Sequence, residues 1–201
     1  MIRQRALLTA LIALGIWDAG TGAAGAQATS AARVLAVRGS TPQVCSIANE
    51  ELQAGQLNNF NGISGDTLQV TQLLDPSTLS VRPSSATISF NAVCNYPHLI
   101  RLESQNNGLW PTDGRLVSSA PGFANALPYD ASITWGPSTA RLETDAKVRS
   151  NRVQRLNVDQ PTAGSVTLRL AILSGASNDS VNAPVLAGVY GDTLRIFLEP
   201  R

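Results

Sequence analysis

The sequence predicts an all-β fold, either an antiparallel sandwich or a barrel. Short runs in which apolar and polar residues alternate recur along the chain, and turn signals such as Asn61-Gly62 and Asn107-Gly108 separate them. These turn signals return roughly every 10 to 15 residues, which leaves little room for a long helix. Only residues 49–57 and 139–148 could each hold a short helix.

The first 28 residues have the pattern of a secretory signal peptide. Arg3 and Arg5 precede an apolar run over residues 6–17, and Ala26-Gln27-Ala28 has the form of a cleavage site. The apolar run is shorter than the roughly 20 residues that span a bilayer, and an N-terminal membrane anchor is the alternative. We therefore expect an exported chain that begins near Thr29, has no membrane span and fits one domain of 173 residues.

The charges of this mature chain are balanced. Without Arg3, Arg5 and Asp18 it keeps thirteen basic and thirteen acidic residues, and its loosest basic grouping, residues 141–155, is interrupted by acidic ones. Nucleic-acid recognition depends on a clustered basic surface, so we expect no nucleic-acid partner.

Cys45 and Cys94 are the only cysteines. An even pair in an exported chain predicts a disulfide bond. Closing a loop of about 50 residues would stabilise the fold by about 4 kcal/mol in the chain-entropy model. Two cysteines and the single histidine, His98, cannot supply a four-ligand zinc set, so we expect no metal.

Four internal segments alternate strongly enough to be assigned as strands. Each places its apolar residues on one face, and these faces are Ala86, Ile88, Phe90, Ala92 and Cys94; Ile100 and Leu102; Leu127, Tyr129, Ala131, Ile133 and Trp135; and Val166, Leu168, Leu170 and Ile172. Residues 105–127 are expected to form a long excursion on the surface.

The chain shows no catalytic motif. It has no G-x-S-x-G nucleophile motif, phosphate-binding loop, dinucleotide fingerprint or calcium loop. His98 is expected at the surface or at a strand edge. We therefore expect no catalytic residue and no cofactor. Trp135 lies in an apolar strand and is expected in the core, whereas Trp110 is the better candidate for an exposed, sugar-binding aromatic ring.

The last predicted strand runs to the carboxyl terminus. Its residues Leu194, Ile196 and Leu198 form one apolar face, and Arg195 and Glu199 lie on the other. We expect the free edge of this strand to have no partner from the same chain. Such an edge favours association with another chain.

Three stretches carry a family resemblance. Sixteen residues separate the predicted signal peptide from Cys45. The stretch Ile88-Ser-Phe-Asn-Ala-Val-Cys94 delivers the second cysteine, and Leu186-Ala-Gly-Val-Tyr-Gly-Asp-Thr193 leads into the last strand. In these features the chain resembles subunits of chaperone-usher pili, above all the spore coat protein U-like domain of the archaic branch, whose last strand follows an alanine-glycine-x-tyrosine-x-aspartate-threonine stretch.

The resemblance implies an immunoglobulin-like sandwich that lacks its final strand. Its partners would be a periplasmic chaperone, an outer-membrane usher and neighbouring pilus subunits. The chaperone would lend a strand, and the N-terminal extension of the next subunit would later replace it. Leu194, Ile196 and Leu198 would line the acceptor groove. The protein would pass through the periplasm to a cell-surface pilus, with a role in adhesion or biofilm formation.

Together with the predicted signal peptide (1–28), the resemblance implies an N-terminal extension (29–44) and an incomplete sandwich (45–201). Within the extension, residues 33–41 are the candidate donor strand. One face presents Leu35, Val37, Gly39 and Thr41, and we predict that Leu35 and Val37 insert into the groove of a neighbour. Gly39 would suit a shallow pocket where the backbone approaches closely. The alternative is that this segment is the domain's own first strand.

Two other classes of function stay open. A self-contained exported β-sandwich that binds a ligand, for example a carbohydrate, would need a closed sheet and exposed aromatic rings such as Trp110. An enzyme ranks last, because the sequence has no nucleophile, metal or paired-acid motif.

Overall fold

The computed structural model describes residues 32–48, 52–112 and 120–201, so the predicted signal peptide lies outside the described residues. The chain forms two units, Met1–Ser40 and Thr41–Arg201. We call the second unit the β-body. Its described strands are β1 (Cys45–Ile47), β2 (Gln53–Asn58), β3 (Phe60–Ser64), β4 (Thr67–Val70), β5 (Ser84–Cys94), β6 (His98–Ser104), β7 (Trp110–Pro111), β8 (Asp130–Trp135), β9 (Ser138–Glu143), β10 (Arg152–Val158), β11 (Thr162–Ile172), β12 (Tyr190–Gly191) and β13 (Leu194–Pro200).

The larger sheet is antiparallel and has the order β1-β5-β11-β8-β9. Its two longest strands, β5 and β11, pair over their whole length. On the other side of β5, β1 pairs with residues 92–94 and β2 pairs with residues 85–89. One edge of this sheet is therefore made of two short strands in succession.

The smaller sheet is antiparallel and has three strands in the order β10-β6-β13. The central strand β6 has partners on both sides, and its residues Ile100 and Leu102 are fully buried. β13 is an edge strand, because β6 is the only described strand of the β-body that pairs with it.

The inward faces of both sheets contribute to one hydrophobic core, which is the layering of a β-sandwich. The predicted all-β antiparallel fold is thereby confirmed, and so is the predicted core position of Trp135. The core draws on every one of the four predicted apolar faces, with Ile88, Phe90, Ile100, Leu102, Ile133, Trp135, Val166 and Leu168 among its members.

The Cys45–Cys94 disulfide bond is present, as predicted. The two cysteines lie directly opposite each other on β1 and β5. The bond therefore fastens a three-residue edge strand to the long central strand beside it.

The sequence allowed two short helices, and both predictions are wrong, because the described residues contain no helix. Residues 53–58 form β2, and residues 138–143 form β9. In β9 the buried residues Ala140 and Leu142 alternate with exposed Arg141, which is the period of a strand. Correspondingly, no helix of the described residues is long and apolar enough to cross a membrane.

The predicted surface excursion over residues 105–127 is wrong in part. Its last residues, Ala124, Ala126 and Leu127, are fully buried. Leu109 and Leu127 exchange backbone hydrogen bonds of 2.8 and 3.0 Å, which bring the two ends of the segment together. Small apolar residues between turn signals let this segment pack into the core.

Candidate functional site

The outer edge of β13 is the most distinctive surface of the β-body. The Gln105 N–H donates to the Thr193 carbonyl across the β6–β13 pair, at 2.9 Å. Antiparallel pairing alternates, so residues 195, 197 and 199 also direct their backbone groups towards β6. The N–H and C=O groups of Leu194, Ile196 and Leu198 therefore point to the outer edge. No described strand of the β-body pairs with them.

The side chains of the same three residues face inward. Ile196 lies opposite Leu102, and Leu198 lies opposite Ile100. Those two β6 residues are fully buried, whereas Leu194, Ile196 and Leu198 are only half-buried while packing against the core. One set of three residues thus combines unpaired backbone groups with incompletely covered apolar side chains, which is the chemistry that an added strand would complete.

An ion-pair network on the outer face of the smaller sheet holds β13 against β6. The Arg101 guanidinium donates to the Glu199 carboxylate at 2.9 and 2.6 Å and to Glu103 at 2.5 Å. The same guanidinium lies 3.6 Å from the centre of the Phe197 ring. Hydrogen bonding to Glu199, assisted by the charges of Glu199 and Glu103, raises the pKa of Arg101 above its usual value. The outer face of β13 is therefore occupied, whereas no described strand pairs with its outer edge.

Asp192 anchors the start of β13. Its carboxylate accepts hydrogen bonds from the Tyr129 hydroxyl at 2.8 Å, the Thr193 N–H at 2.8 Å, and the Asn106 N–H and side-chain amide at 2.9 and 3.0 Å. The Ser104 hydroxyl is a further donor. Asp192 thus joins the end of β6, the segment before β8 and the start of β13, although 63 residues separate it from Tyr129.

Tyr129 and Ser104 are the buried members of this network. Burial raises the pKa of the Tyr129 hydroxyl well above the usual value of 10.0, and the neighbouring Asp192 carboxylate adds to the rise. The hydroxyl therefore stays protonated and remains a donor to Asp192.

The candidate donor segment, residues 33–41, contains no strand. Leu35 and Val37 are 86% and 88% exposed, and Val34 on the opposite face is 97% exposed. Gly39 and Thr41 are exposed as well, and a Cβ at position 39 would meet no described atom within 4 Å. Large exposed apolar side chains so close together in the sequence are uncommon on a soluble monomer and suit a binding role.

The base of the extension is fastened within the β-body by Asn95. The Val44 N–H donates to the Asn95 side-chain oxygen at 2.8 Å, and the Asn95 amide donates to the Pro42 carbonyl at 2.8 Å. The Asn95 N–H in turn donates to the Val44 carbonyl at 3.1 Å. Pro42 and Val44 are therefore held to the end of β5 within the β-body.

His98 is fully buried in the central strand of the smaller sheet, so its predicted position at the surface or at a strand edge is wrong. It is the first residue of β6 and shares the inward face with Ile100 and Leu102, because side chains two positions apart lie on the same side of a strand. The imidazole packs against Trp135 with ring centres 4.9 Å apart. The period-two pattern, extended back by one step from Ile100, would have identified this position.

Trp110, the candidate for an exposed sugar-binding ring, is only partly exposed. This residue is half-buried on β7, opposite Gly191, and its indole nitrogen is buried without a hydrogen-bond partner among the described residues. A shallow cleft of about 350 Å³ lies on the outer face of the larger sheet. It is lined by Thr87, Ser132 and Arg169, and its acidic residue Asp130 is engaged by Arg141 at 2.9 Å. It presents no aromatic ring on which a sugar could stack.

Comparison of the sequence with known protein families and with curated proteins finds no match to either. The interpretation of the site therefore rests on its geometry. The sequence predicts the involvement of Leu194, Ile196 and Leu198 and of the donor candidates Leu35 and Val37. It does not reveal the roles of Asp192, Asn95 and Arg101, whose partners are brought together by the fold.

Proposed function

We propose that this protein is a structural subunit of a chaperone-usher pilus that polymerises by donor-strand complementation. The β-body would be an immunoglobulin-like sandwich without its final strand. The observation that carries the proposal is the outer edge of β13, where the backbone groups of Leu194, Ile196 and Leu198 have no strand partner and their side chains are half-covered. A strand added there would pair with these backbone groups and cover these side chains.

The N-terminal extension of a second copy is the proposed occupant of this edge. Leu35 and Val37 would insert beside the half-buried leucine and isoleucine side chains of β13, while Gly39 and Thr41 would continue the same face. Burial of side chains as large as Leu and Val would contribute roughly 1.5–3 kcal/mol each. The pairing would be non-enzymatic and would need no cofactor.

The remaining proposed partners are those that the family resemblance implies. A periplasmic chaperone would cover β13 before assembly, because an unpaired apolar edge promotes aggregation. An outer-membrane usher would then exchange the chaperone for the extension of the next subunit. The product would be a surface fibre acting in adhesion or biofilm formation.

Two substitutions on opposite faces of the donor segment test this proposal. In the mature chain, we expect Leu35→Arg to block growth of polymers, because a charged side chain cannot be buried in the groove. The matched variant Ala36→Arg places the same charge on the other face and should polymerise like the wild type. Sedimentation of refolded protein measures polymer length, and circular dichroism checks that both variants are folded. Equal polymerisation of the two variants would contradict the proposal.

A truncation provides the complementary test. Removal of residues 29–41 should leave a folded acceptor that cannot donate, and it should shorten fibres when mixed with the complete mature chain. The cut is placed before Pro42 because Asn95 holds Pro42 and Val44. A truncated chain that still forms long polymers would exclude this segment as the donor.

A further inference from the structure

The cleft on the outer face of the larger sheet collects polar side chains that have no partner within the described chain. Arg169 on β11 lies directly opposite Thr87 on β5 and Ser132 on β8, and all three line the cleft. Gln56 and Ser85 line it as well. None of these five side chains makes a hydrogen bond or an ion pair with another described residue. The cleft therefore presents five polar groups that are free to bind a ligand.

A β-bulge in β2 contributes Gln56 to this lining. The pairing of β2 with β5 shifts in register between Ala54 and Leu57, and Gln56 lies within the shift. The backbone of Gly55 passes so close to β5 that a Cβ there would lie 3.2 Å from the Thr87 carbonyl oxygen. Bulges turn a side chain out of the regular alternation and are common beside functional sites. This irregularity of β2 is a second feature that points to the cleft as a site.

Arg169 supplies the uncompensated positive charge of the cleft. The other arginine in the lining, Arg141, makes ion pairs with Asp130 at 2.9 Å and with Glu143 at 3.1 Å. Arg169 is exposed and has no acidic partner among the described residues. A guanidinium binds a carboxylate through two parallel N–H···O hydrogen bonds. Arg169 is thus matched to a ligand that carries one carboxylate.

We propose that this cleft binds a carboxylated sugar, such as a uronic acid. The Arg169 guanidinium binds the carboxylate. The ring hydroxyls of the sugar bind the other four groups, which are the hydroxyls of Ser85, Thr87 and Ser132 and the amide of Gln56. Each of these four groups both donates and accepts hydrogen bonds, as sugar hydroxyls do. The cleft volume of about 350 Å³ lies at the lower end of the range for small-ligand sites.

Charge and hydrogen bonding take the place of aromatic stacking in this recognition. The central residues of the site lie on the paired strands β5, β11 and β8, so they are held in fixed positions before the ligand arrives. The site is on the larger sheet, whereas the proposed assembly edge is β13 of the smaller sheet. Binding of a sugar acid is therefore independent of the proposed assembly function.

The test is saturation-transfer NMR of the mature protein with D-glucuronate, D-glucose and acetate as separate probes. The method observes the ligand, so it applies to monomeric and polymeric protein alike. Glucose lacks the carboxylate and acetate lacks the ring hydroxyls, so we expect glucuronate to bind roughly tenfold more tightly than either. Equal affinity for glucuronate and acetate, tighter binding of a pentaglutamate peptide, or absence of glucuronate binding would each overturn the proposal.

Arg169→Gln places the binding in this cleft. We expect it to lower the affinity for glucuronate by about tenfold, because a hydrogen-bonded charge is lost. Arg155→Gln is the matched control, since Arg155 is also an exposed strand arginine without a described partner but lies on β10 of the smaller sheet. This control should bind glucuronate like the wild type. Circular dichroism checks that both variants are folded, and equal affinities of the two folded variants would exclude the cleft as the site.

Discussion

At the scale of single residues, Asp192 is the group on which the geometry of the candidate site depends most. Its carboxylate accepts hydrogen bonds from Ser104, Asn106, Tyr129 and Thr193, and so fixes where β13 begins. Removal of a shared acceptor leaves several donors unsatisfied, and each such group costs about 1–3 kcal/mol when buried.

We therefore expect Asp192→Ala to lower the free energy of unfolding by about 3 kcal/mol. Asp66→Ala, in the exposed turn between β3 and β4, is the matched control and should change it by less than about 0.5 kcal/mol. Urea denaturation measures both. Similar small effects for the two variants would show that Asp192 is not the anchor of β13.

Tyr129 predicts a loss of stability in alkali. Its folded pKa lies above the usual 10.0, so the unfolded chain loses this proton at a lower pH than the folded chain does. The stabilisation is thus complete below about pH 10 and declines as the pH rises further. Tyr129→Phe should be less stable than the wild type at pH 7 but should lose less stability between pH 9 and pH 11, as measured by urea denaturation. An unchanged alkaline slope in the variant would contradict this assignment.

The residues whose roles the sequence did not reveal have partners that lie far away in the chain. The contact between Asp192 and Tyr129 spans 63 positions, and that between Asn95 and Val44 spans 51. A local pattern carries no information on such pairs, because the register of the sheets decides them. His98 differs, since continuing the alternation of β6 by one step would have predicted its burial.

At the scale of elements, alternation was the reliable guide. The apolar faces of β5, β8 and β11 follow from side chains that alternate across a strand, and all three contribute to the core. The same rule holds in β9, where Ala140 and Leu142 carry the strand period within a charged segment for which the sequence also allowed a short helix. Segments without alternation, such as residues 120–127, could not be placed from the sequence, because irregular backbone packs according to its tertiary contacts.

The alternation of β13 gives a prediction for hydrogen exchange. In the isolated protein the amides of Leu194, Ile196 and Leu198 should exchange rapidly, since they face the outer edge of β13. The amides of Arg195, Phe197 and Glu199 in the same strand face β6 and should be protected. A peptide copying residues 33–41 should slow exchange in the first set only. Protection of all six amides in the free protein would mean that the edge is already covered.

At the scale of the whole molecule, the β-body is a sandwich in which no described strand pairs with the outer edge of β13 in the smaller sheet. The disulfide stabilises the opposite sheet by joining β1 to β5. Both sheets already share one core, so a strand added at β13 would complete the smaller sheet, and folding of the core would not depend on it. We expect this edge to accept the extension of a second copy.

The most direct test is thermal melting and size-exclusion chromatography of the mature protein with a peptide copying residues 33–41. Binding to the folded state raises the melting temperature, and at a hundredfold excess over Kd we expect a rise of about 5–10 °C. Aggregates should also resolve into monomers, whereas a peptide with arginine in place of Leu35 and Val37 should have neither effect. A stable monomer that is indifferent to both peptides would contradict the account and indicate a closed sandwich.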